Sequence, residues 1–307
     1  MSDADAPGAL ALVVTADEVG RVDHVLGKRF PDASRRRLAE LFADGAVRIR
    51  GKLARKGDRV AAGDEITLAR APARADDLRA TADPEAAARL TVLYQDDDVV
   101  VVDKPAGMPS QPLRPGELGT AAGGVVHLFA TTGAVADDPR DGGLVHRLDI
   151  GTSGVLIAAR HRDAWVRLRA AFGAGEVDKD YLALVETAPV SRECDAPLAQ
   201  RGRRAVVDLV DGLEAHTSWH EEARYGARRL LRCRATTGRM HQVRAHLAHV
   251  GAPLVGDELY GGQPYPGLVG FFLHAATITF PGRGGRITVE APLSADRAAV
   301  IASLTPR

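Results

Sequence analysis

A single polar segment limits what this chain can fold into. Residues 70–90 are rich in alanine and charge, and Leu78 and Leu90 are their only large apolar residues. A stretch with so few side chains to bury is typical of a linker between folded units. The 307 residues therefore predict three parts: a small domain at 18–70, a linker at 71–90 and a larger domain at 91–307.

The small domain shows two helical patterns followed by strands. Apolar residues recur at helical spacing over residues 19–30, and Ser34 is placed to cap a second helix. Apolar alternation at residues 47–49 and again near 66–68 predicts short strands. Residues 1–17 have no periodicity, and we expect a loose tail or a first strand there.

The larger domain combines many strand patterns with few helices. Helical periodicity is convincing at residues 163–172 and 240–250. Residues 181–185 alternate, which places Tyr181, Ala183 and Val185 on one face of a strand. Residues 111–142 show no readable pattern, and a mobile substrate loop is one interpretation.

The charge of the chain is unevenly distributed. The net charge is zero, which by itself argues against nucleic-acid binding. However, residues 21–59 hold twelve basic and five acidic residues, a balance of +7. Residues 224–244 hold seven arginines and no acidic residue. Because phosphate binding depends on the local potential, both segments are candidate RNA contacts.

Several classes of protein are disfavoured. Two cysteines, Cys194 and Cys233, are too few for a disulfide framework, and a reducing cytoplasm is expected. No apolar run approaches 18 residues, so no membrane span is predicted. On a helix, His241 and His246 would lie about 140° apart, so they are not expected to share a metal ion.

The segment 143–156, GLVHRLDIGTSGVL, carries the strongest chemical signal. It predicts a strand, a polar loop and a second strand. A carboxylate at Asp149, beside Arg147 and two hydroxyls, can act as a nucleophile or a general base. Alternatively, Asp149 caps backbone N–H groups of a turn. The spacing alone leaves both interpretations open.

The HRLD and TSG residues of this segment resemble the catalytic motif of the RluA-type pseudouridine synthases. Further family motifs lie on both sides of this segment, in the order typical of the family, at residues 104–107, 179–181, 238–246, 256–257, 260–261 and 273–275. The small domain resembles the RNA-binding domain named after ribosomal protein S-four. The matching residues are Arg21, Asp23, Ser34, Arg35, Gly45, Val47, Gly51, Lys52, Gly63 and Asp64.

The resemblance implies an α+β fold: a small helix–helix–strand RNA-binding domain, then a catalytic domain with a mixed, mainly antiparallel sheet and flanking helices. It implies isomerisation of specific uridines to pseudouridine in structured RNA, with large-subunit ribosomal RNA expected first and transfer RNA second. Breaking C1′–N1 and joining C1′ to C5 involves neither redox change nor hydrolysis. We therefore expect no cofactor, no metal and no membrane partner, and a cytoplasmic monomer that binds RNA. A non-catalytic RNA-binding protein and a metal-dependent RNA hydrolase are the alternatives.

The resemblance also assigns the site. Asp149 becomes the central group, as nucleophile or as base on the ribose. Tyr181 is expected to stack on the uracil. Arg244, about 85° from the apolar stripe of its helix, is the expected cation, with Arg239 as the alternative. The expected substrate-binding residues are His146, Arg147, Thr152, Lys179, Arg239, His241, Gln242 and Leu273. The expected RNA-binding residues are Arg21, Arg35, Arg36, Arg48, Arg50 and Lys52.

Three residues, in two segments, depart from the family pattern. Ile150 and Gly151 stand where the family commonly has Lys-Asp, which puts the contacts of this loop in doubt. Arg50 stands where an asparagine often precedes the glycine, which adds charge.

Overall fold

A computed structural model describes residues 10–31, 33, 35–72 and 79–304, although not the side chains of Arg35 and Arg36. The chain divides into two compact units, with the boundary between Arg79 and Ala80. Each unit has its own hydrophobic core.

The first unit combines two helices with short strands. Its elements are β1 (Leu10–Val13), β2 (Gly20–Arg21), α1 (Val22–Arg29), α2 (Arg35–Ala43), β3 (Val47–Ile49), β4 (Lys52–Leu53), β5 (Arg59–Val60) and β6 (Glu65–Leu68). Four strands form a sheet in the order β1-β6-β3-β4, and β2 pairs with β5. Leu26 of α1 and Leu41 of α2 are fully buried with Ile66, so the helices pack on this sheet.

The beginning of this unit differs from the sequence prediction. Of the two expectations for residues 1–17, a first strand is the one observed, because β1 pairs with β6. The first helix starts at Val22 and not at Val19, because the residues before it extend and pair with β5. Val19 is 56% exposed. The predicted cap at Ser34 lies outside the described residues.

Arg50 occupies a turn position that favours the asparagine of the family pattern. β3 and β4 are joined by Arg50 and Gly51, whose φ angles are 50° and 76°. A two-residue hairpin turn with both φ angles positive favours Asn-Gly. Arg50 therefore holds a strained conformation, and its guanidinium pairs with the buried carboxylate of Asp64 at 2.5 Å.

The second unit is built on a large sheet. Its strands are β7 (Thr91–Gln95), β8 (Val99–Lys104), β9 (Ser153–Ala159), β10 (Asp178–Val185), β11 (Glu193–Cys194), β12 (Leu198–Arg201), β13 (Arg204–Val207), β14 (Thr217–Tyr225), β15 (Arg228–Ala235), β16 (Leu273–Gly282) and β17 (Gly285–Glu290). Its helices are α3 (Pro84–Ala87), α4 (Ala121–Leu128), α5 (Arg162–Gly173), α6 (Gln242–His249) and α7 (Ala295–Leu304). The sheet runs β11-β14-β15-β10-β16-β9-β8-β7, and β17 pairs with β16.

The expected mixed, mainly antiparallel sheet is confirmed. β9 and β16 are parallel, and the other neighbouring pairs are antiparallel. The predicted alternation along β10 is also confirmed. Ala183 and Val185 pack in the cluster that contains α6, whereas Leu182 and Leu184 face the cluster that contains α7. Tyr181 contacts the α6 cluster and the cluster formed by α3, α4 and α5, so it lies where two cores meet.

Four local predictions need correction. The end of the expected linker is folded, because Asp83 caps α3 and Leu90 packs into the core. The segment 111–142 contains α4 and two short 3-10 helices. α5, expected over 163–172, begins at Arg162 and is capped by His161. The helix expected over 240–250 begins only at Gln242.

Gly154 of the TSG motif is required by the parallel junction of β9 and β16. Its φ is +111°, and an added Cβ would lie 2.1 Å from the carbonyl oxygen of Ala275. We expect Gly154→Ala to destabilise the protein by more than about 3 kcal/mol, because the backbone must shift in a buried sheet. Denaturant unfolding measures the loss. Gly173→Ala is the control: its Cβ meets open space, so it should be neutral or stabilise by about 0.5 kcal/mol. Equal effects of the two substitutions would contradict this account.

Candidate active site

An ion pair stands at the centre of the candidate site. The loop between the β-bridge at Leu144 and β9 carries Asp149, and Arg244 projects from α6 toward it. Nη1 of Arg244 donates to Oδ2 of Asp149 at 3.0 Å. The Asp149 side chain is 26% exposed and that of Arg244 is 6% exposed. The carboxylate is thus accessible to a substrate, while its cation is enclosed by protein.

Arg244 is held from several sides. Its Nε and Nη2 donate to the two carboxylate oxygens of Asp257 at 2.7 and 2.8 Å. The guanidinium carbon lies 4.0 Å from the ring centre of Phe271 and 5.0 Å from that of Tyr260. A two-point bond and two aromatic faces fix both position and orientation. Asp257 and Tyr260 lay in recognised motifs but had no expected role, and Phe271 was missed.

The backbone carbonyls of the Asp149 loop are hydrogen-bonded to the protein. The Leu148 carbonyl accepts from Ser110 Oγ at 2.7 Å, and the Asp149 carbonyl accepts from the Thr152 N–H at 3.0 Å. The Ile150 carbonyl accepts from the Gly107 N–H at 2.8 Å. Among the described contacts, the Asp149 carboxylate bonds to Arg244 and to no backbone N–H of its own loop. The turn-cap interpretation of Asp149 is therefore wrong.

A buried lysine lies under the same loop. The Lys104 ammonium is fully buried and donates to the carbonyls of Pro105, Met108 and Ile150. Burial, with a smaller contribution from nearby Arg297, lowers the pKa of Lys104 to about 7. Its three acceptors are neutral carbonyls, so its main structural effect is to fasten the loop.

The residues expected around the base lie on neighbouring elements. Burial and the nearby Asp149 carboxylate raise the pKa of Tyr181, so its hydroxyl stays protonated. Lys179 donates to the Thr237 carbonyl at 2.9 Å, and burial lowers its pKa to about 8. His146 accepts from the Ile157 N–H at 3.1 Å, and burial lowers its pKa to about 3. A neutral His146 fastened to β9 fits an orienting role.

The other expected substrate contacts differ in accessibility. Arg147 is exposed and bonds to Gln111, which also bonds to Asp141. In contrast, Thr152 is 2% exposed and Leu273 is 4% exposed, so both are part of the protein interior.

The start of α6 is a tightly bonded corner. His241 has a φ of +53°, and its Nδ1 lies 3.1 Å from the Tyr260 hydroxyl. Its Nε2 is 3.9 Å from Oδ2 of Asp149, and burial lowers its pKa. The Gln242 amide bonds within the protein to Thr237, Arg239, His216 and Thr217. Gln242 therefore positions this corner and offers no free amide group to a substrate.

The two candidate cations are clearly separated by the structure. Arg244 faces Asp149, whereas Arg239 is exposed and donates from Nε to the Glu214 carbonyl at 2.8 Å.

The arginine-rich segment 224–244 is not a positively charged patch. Five of its seven arginines pair with nearby acidic residues, in the pairs Arg224–Glu221, Arg228–Glu186, Arg229–Glu221, Arg232–Glu222 and Arg234–Asp180. The basic excess of this segment is therefore largely compensated in the folded unit, and its expected contact with RNA stays a prediction. Glu221 and Glu222 stand just before the segment, whereas Glu186 and Asp180 come from a more distant part of the chain, so a count over residues 224–244 alone misses all four carboxylates.

The first unit keeps part of its basic surface. Arg21 pairs with Asp23, and Arg50 pairs with Asp64. Within the described residues, Arg48, Lys52, Arg55, Lys56 and Arg59 are exposed and form no ion pair. These five residues form the hairpin cluster. The side chains of Arg35 and Arg36 lie outside the described part.

No group of three or more histidine, cysteine or carboxylate side chains among the described residues is arranged to hold a metal ion. Cys194 and Cys233 are unpaired and buried. None of the described helices is long and apolar enough to span a membrane.

Three comparisons with known proteins identify the class to which this fold and this site belong. The model of the RNA pseudouridylate synthase family matches residues 98–249. Two solved structures share the fold: human RNA pseudouridylate synthase domain containing 4 (TM-score 0.58, 21% identity) and domain containing 1 (TM-score 0.52, 20% identity). Each match covers 72% of this chain, and 94% and 97% of those chains, respectively.

Relatives of similar length match almost the whole chain. Ribosomal large subunit pseudouridine synthase D of Xylella fastidiosa is 37% identical over 302 residues, covering 92% of this chain and 88% of that protein. Ribosomal large subunit pseudouridine synthase C of Escherichia coli K12 is 32% identical over 311 residues, covering 94% of each. The chain belongs to the RNA pseudouridylate synthase family, in its RluA-type branch, and is an RNA-modifying isomerase.

Proposed function

We propose that this protein converts specific uridines of large-subunit ribosomal RNA to pseudouridine at Asp149. The observation that carries the proposal is the Asp149–Arg244 pair, an accessible carboxylate with an enclosed cation. The names of the relatives support the RNA class. We also propose that the protein is a cytoplasmic monomer without membrane partners. Its catalytic domain would span residues 91–307 and its ribosomal-protein-S-four-like domain residues 18–70.

The chemistry explains why the carboxylate needs this environment. The target base leaves the helical stack, C1′–N1 breaks, the uracil turns, and C1′ joins C5 while C5 loses its hydrogen. Asp149 acts as nucleophile at C1′ or as base on the ribose, and either role needs an ionised carboxylate. An entering base removes water, which favours the neutral acid unless a cation is adjacent. Arg244, 3.0 Å away, supplies that charge.

Tyr181 is suited to contact the base. It lies where two apolar clusters meet and near the Asp149 carboxylate. Because burial raises its pKa, the phenol remains a hydrogen-bond donor beside a stacking face. We therefore assign Tyr181 to stacking on the uracil. Arg147, which is exposed beside the loop, is assigned to the gap that the flipped base leaves.

The reaction is tested by the fate of hydrogen at C5. RNA labelled with tritium at C5 of uridine should release label to water with this protein in the presence of a chelator. Large-subunit ribosomal RNA should release label faster than an equal amount of transfer RNA. Faster release from transfer RNA would instead identify transfer RNA as the preferred substrate. No release from either RNA would favour a non-catalytic RNA-binding protein, and strand cleavage that needs a metal would favour a hydrolase.

We further propose that the hairpin cluster binds RNA phosphates. Neutralising four of its residues together (Arg48→Gln, Lys52→Gln, Arg55→Gln, Lys56→Gln) should make RNA affinity less dependent on salt. Each lost phosphate contact lowers the steepness of the log–log slope by about 0.9, so the change for four contacts should approach about 3.6. The control removes an exposed neutral pair of the same unit, Arg70→Gln with Asp44→Asn, and should leave the slope unchanged. A slope unchanged by the fourfold variant would show that RNA binds elsewhere.

A further inference from the structure

Arg297, on the first turn of α7, is a fully buried cation without a role in the reaction as described. Its Nη2 donates to the carbonyls of Gly151 and Phe271, both at 2.6 Å. Its Nη1 pairs with Asp296 at 2.9 Å, and within the described residues its Nε has no partner. A buried guanidinium with an unsatisfied N–H is costly compared with an apolar side chain. The arrangement therefore suggests a function beyond packing.

The two carbonyls that Arg297 holds belong to the two sides of the active site. Gly151 lies two residues after Asp149, in the loop that positions the carboxylate. Phe271 carries the ring that packs 4.0 Å from the guanidinium carbon of Arg244. One side chain thus connects the Asp149 loop with the residue that supports its cation.

The fit between these two segments is close. A Cβ on Gly151 would lie 2.7 Å from the ring of Phe271, so that ring occupies the space of a side chain at position 151. Gly151 is one of the two departures from the family pattern in this loop. The backbone carbonyl of Phe271 accepts from Arg297 at 2.6 Å and from the Leu273 N–H at 2.9 Å, and Arg297 is the partner that also reaches Gly151. This set of contacts lies partly beyond residues 98–249, which match the family model.

We propose that Arg297 is a positioning residue for the isomerisation. By tying Gly151 to Phe271, it keeps the Asp149 carboxylate and the Arg244 guanidinium at hydrogen-bond distance while the uracil enters and turns. The inference rests on the proposed reaction at Asp149. A displacement of about 1 Å in a catalytic group can cost about 10²-fold in rate, so the tether has a measurable consequence.

The test compares three variants. Arg297→Met keeps the length of the side chain and removes the donors, and it should lower kcat for tritium release about 10- to 100-fold. The KM for RNA should stay within about twofold, because Arg297 is buried away from the RNA. Arg297→Lys retains a charged donor and should recover at least about half of the loss on a logarithmic scale. Val300→Ala is the matched control: it removes packing from the same helix without removing a bond to either carbonyl, and should leave kcat within about twofold.

A second readout does not depend on turnover. The Nε–H of Arg244 donates to Asp257 at 2.7 Å, so its resonance is protected from exchange, and the Arg244→Lys variant identifies it. We expect Arg297→Met to shift or broaden this resonance and Val300→Ala to leave it unchanged. The proposal is overturned if folded Arg297→Met keeps full kcat, or if Val300→Ala loses as much kcat. If the wild type releases no label from any RNA but the resonance still responds, the proposed reaction fails and the tether stands.

Discussion

Replacing Asp149 with asparagine is expected to reduce tritium release by at least about 10²-fold. Asparagine has the same shape and can still accept a bond from Arg244, but it carries no charge. If Asp149 is the base on the ribose, the loss should be about 10²- to 10⁴-fold. If it is the nucleophile, the loss should approach the roughly 10⁶-fold seen when a nucleophile is removed. The size of the loss thus separates the two roles.

RNA binding provides the control for this variant. Asp149 is 26% exposed and negatively charged, so it does not hold the RNA backbone. The dissociation constant of Asp149→Asn for large-subunit RNA should therefore stay within about threefold of the wild type. Undiminished tritium release by this variant would remove Asp149 from the mechanism. A matching loss of RNA binding would instead indicate a misfolded loop.

Replacing Asp257 with alanine is expected to have the largest effect on stability. Asp257 is 1% exposed and holds two of the three bonded nitrogens of Arg244. Its removal leaves a buried guanidinium with Asp149 as its remaining carboxylate, and breaking a buried pair in this way costs about 3–5 kcal/mol. The free energy of unfolding, from denaturant titration, measures the loss. We also expect kcat to fall, because Arg244 is no longer fixed from behind.

An exposed pair of the same geometry is the matched control for Asp257. Asp180 accepts from Nε and Nη2 of Arg234 at 3.0 and 3.1 Å, but the Arg234 side chain is 52% exposed. Asp180→Asn should cost about 0–1 kcal/mol, because water replaces the lost contact. If Asp257→Ala lowers the free energy of unfolding no more than Asp180→Asn does, the buried bidentate bond between Asp257 and Arg244 does not make the expected contribution to stability.

The strand pattern and the motif order were largely readable from the sequence. Alternation at Tyr181, Ala183 and Val185 predicted the two faces of β10, because side chains on a strand alternate whatever it pairs with. Helix boundaries were less accurate. α1 begins at Val22 because Gly20 and Arg21 pair with a strand nearly forty residues later, and local periodicity does not record that pairing.

Charge shows the same division. The +7 balance of residues 21–59 is partly kept as the exposed hairpin cluster. In the sequence, the seven arginines of residues 224–244 indicate a basic surface just as the first segment does. In the folded unit, however, six of them pair with carboxylates such as Glu186 and Asp180. A local excess of charge therefore predicts an RNA-binding surface only where the fold leaves it unpaired.

The sequence by itself determined the family of this protein, because HRLD, the later RxH segment and their order match the RluA-type pattern, and it predicted Asp149 as the reacting carboxylate and Arg244 as its cation. Only the tertiary structure decided how that pair is held. Asp257 lies in a family motif, but its bidentate bond to Arg244 was not predicted, and Phe271 and Arg297 lie 122 or more residues after Asp149 in segments without a family motif. Burial, bidentate bonding and ring contact hold the pair, and these depend on distances in space that no spacing along the chain encodes.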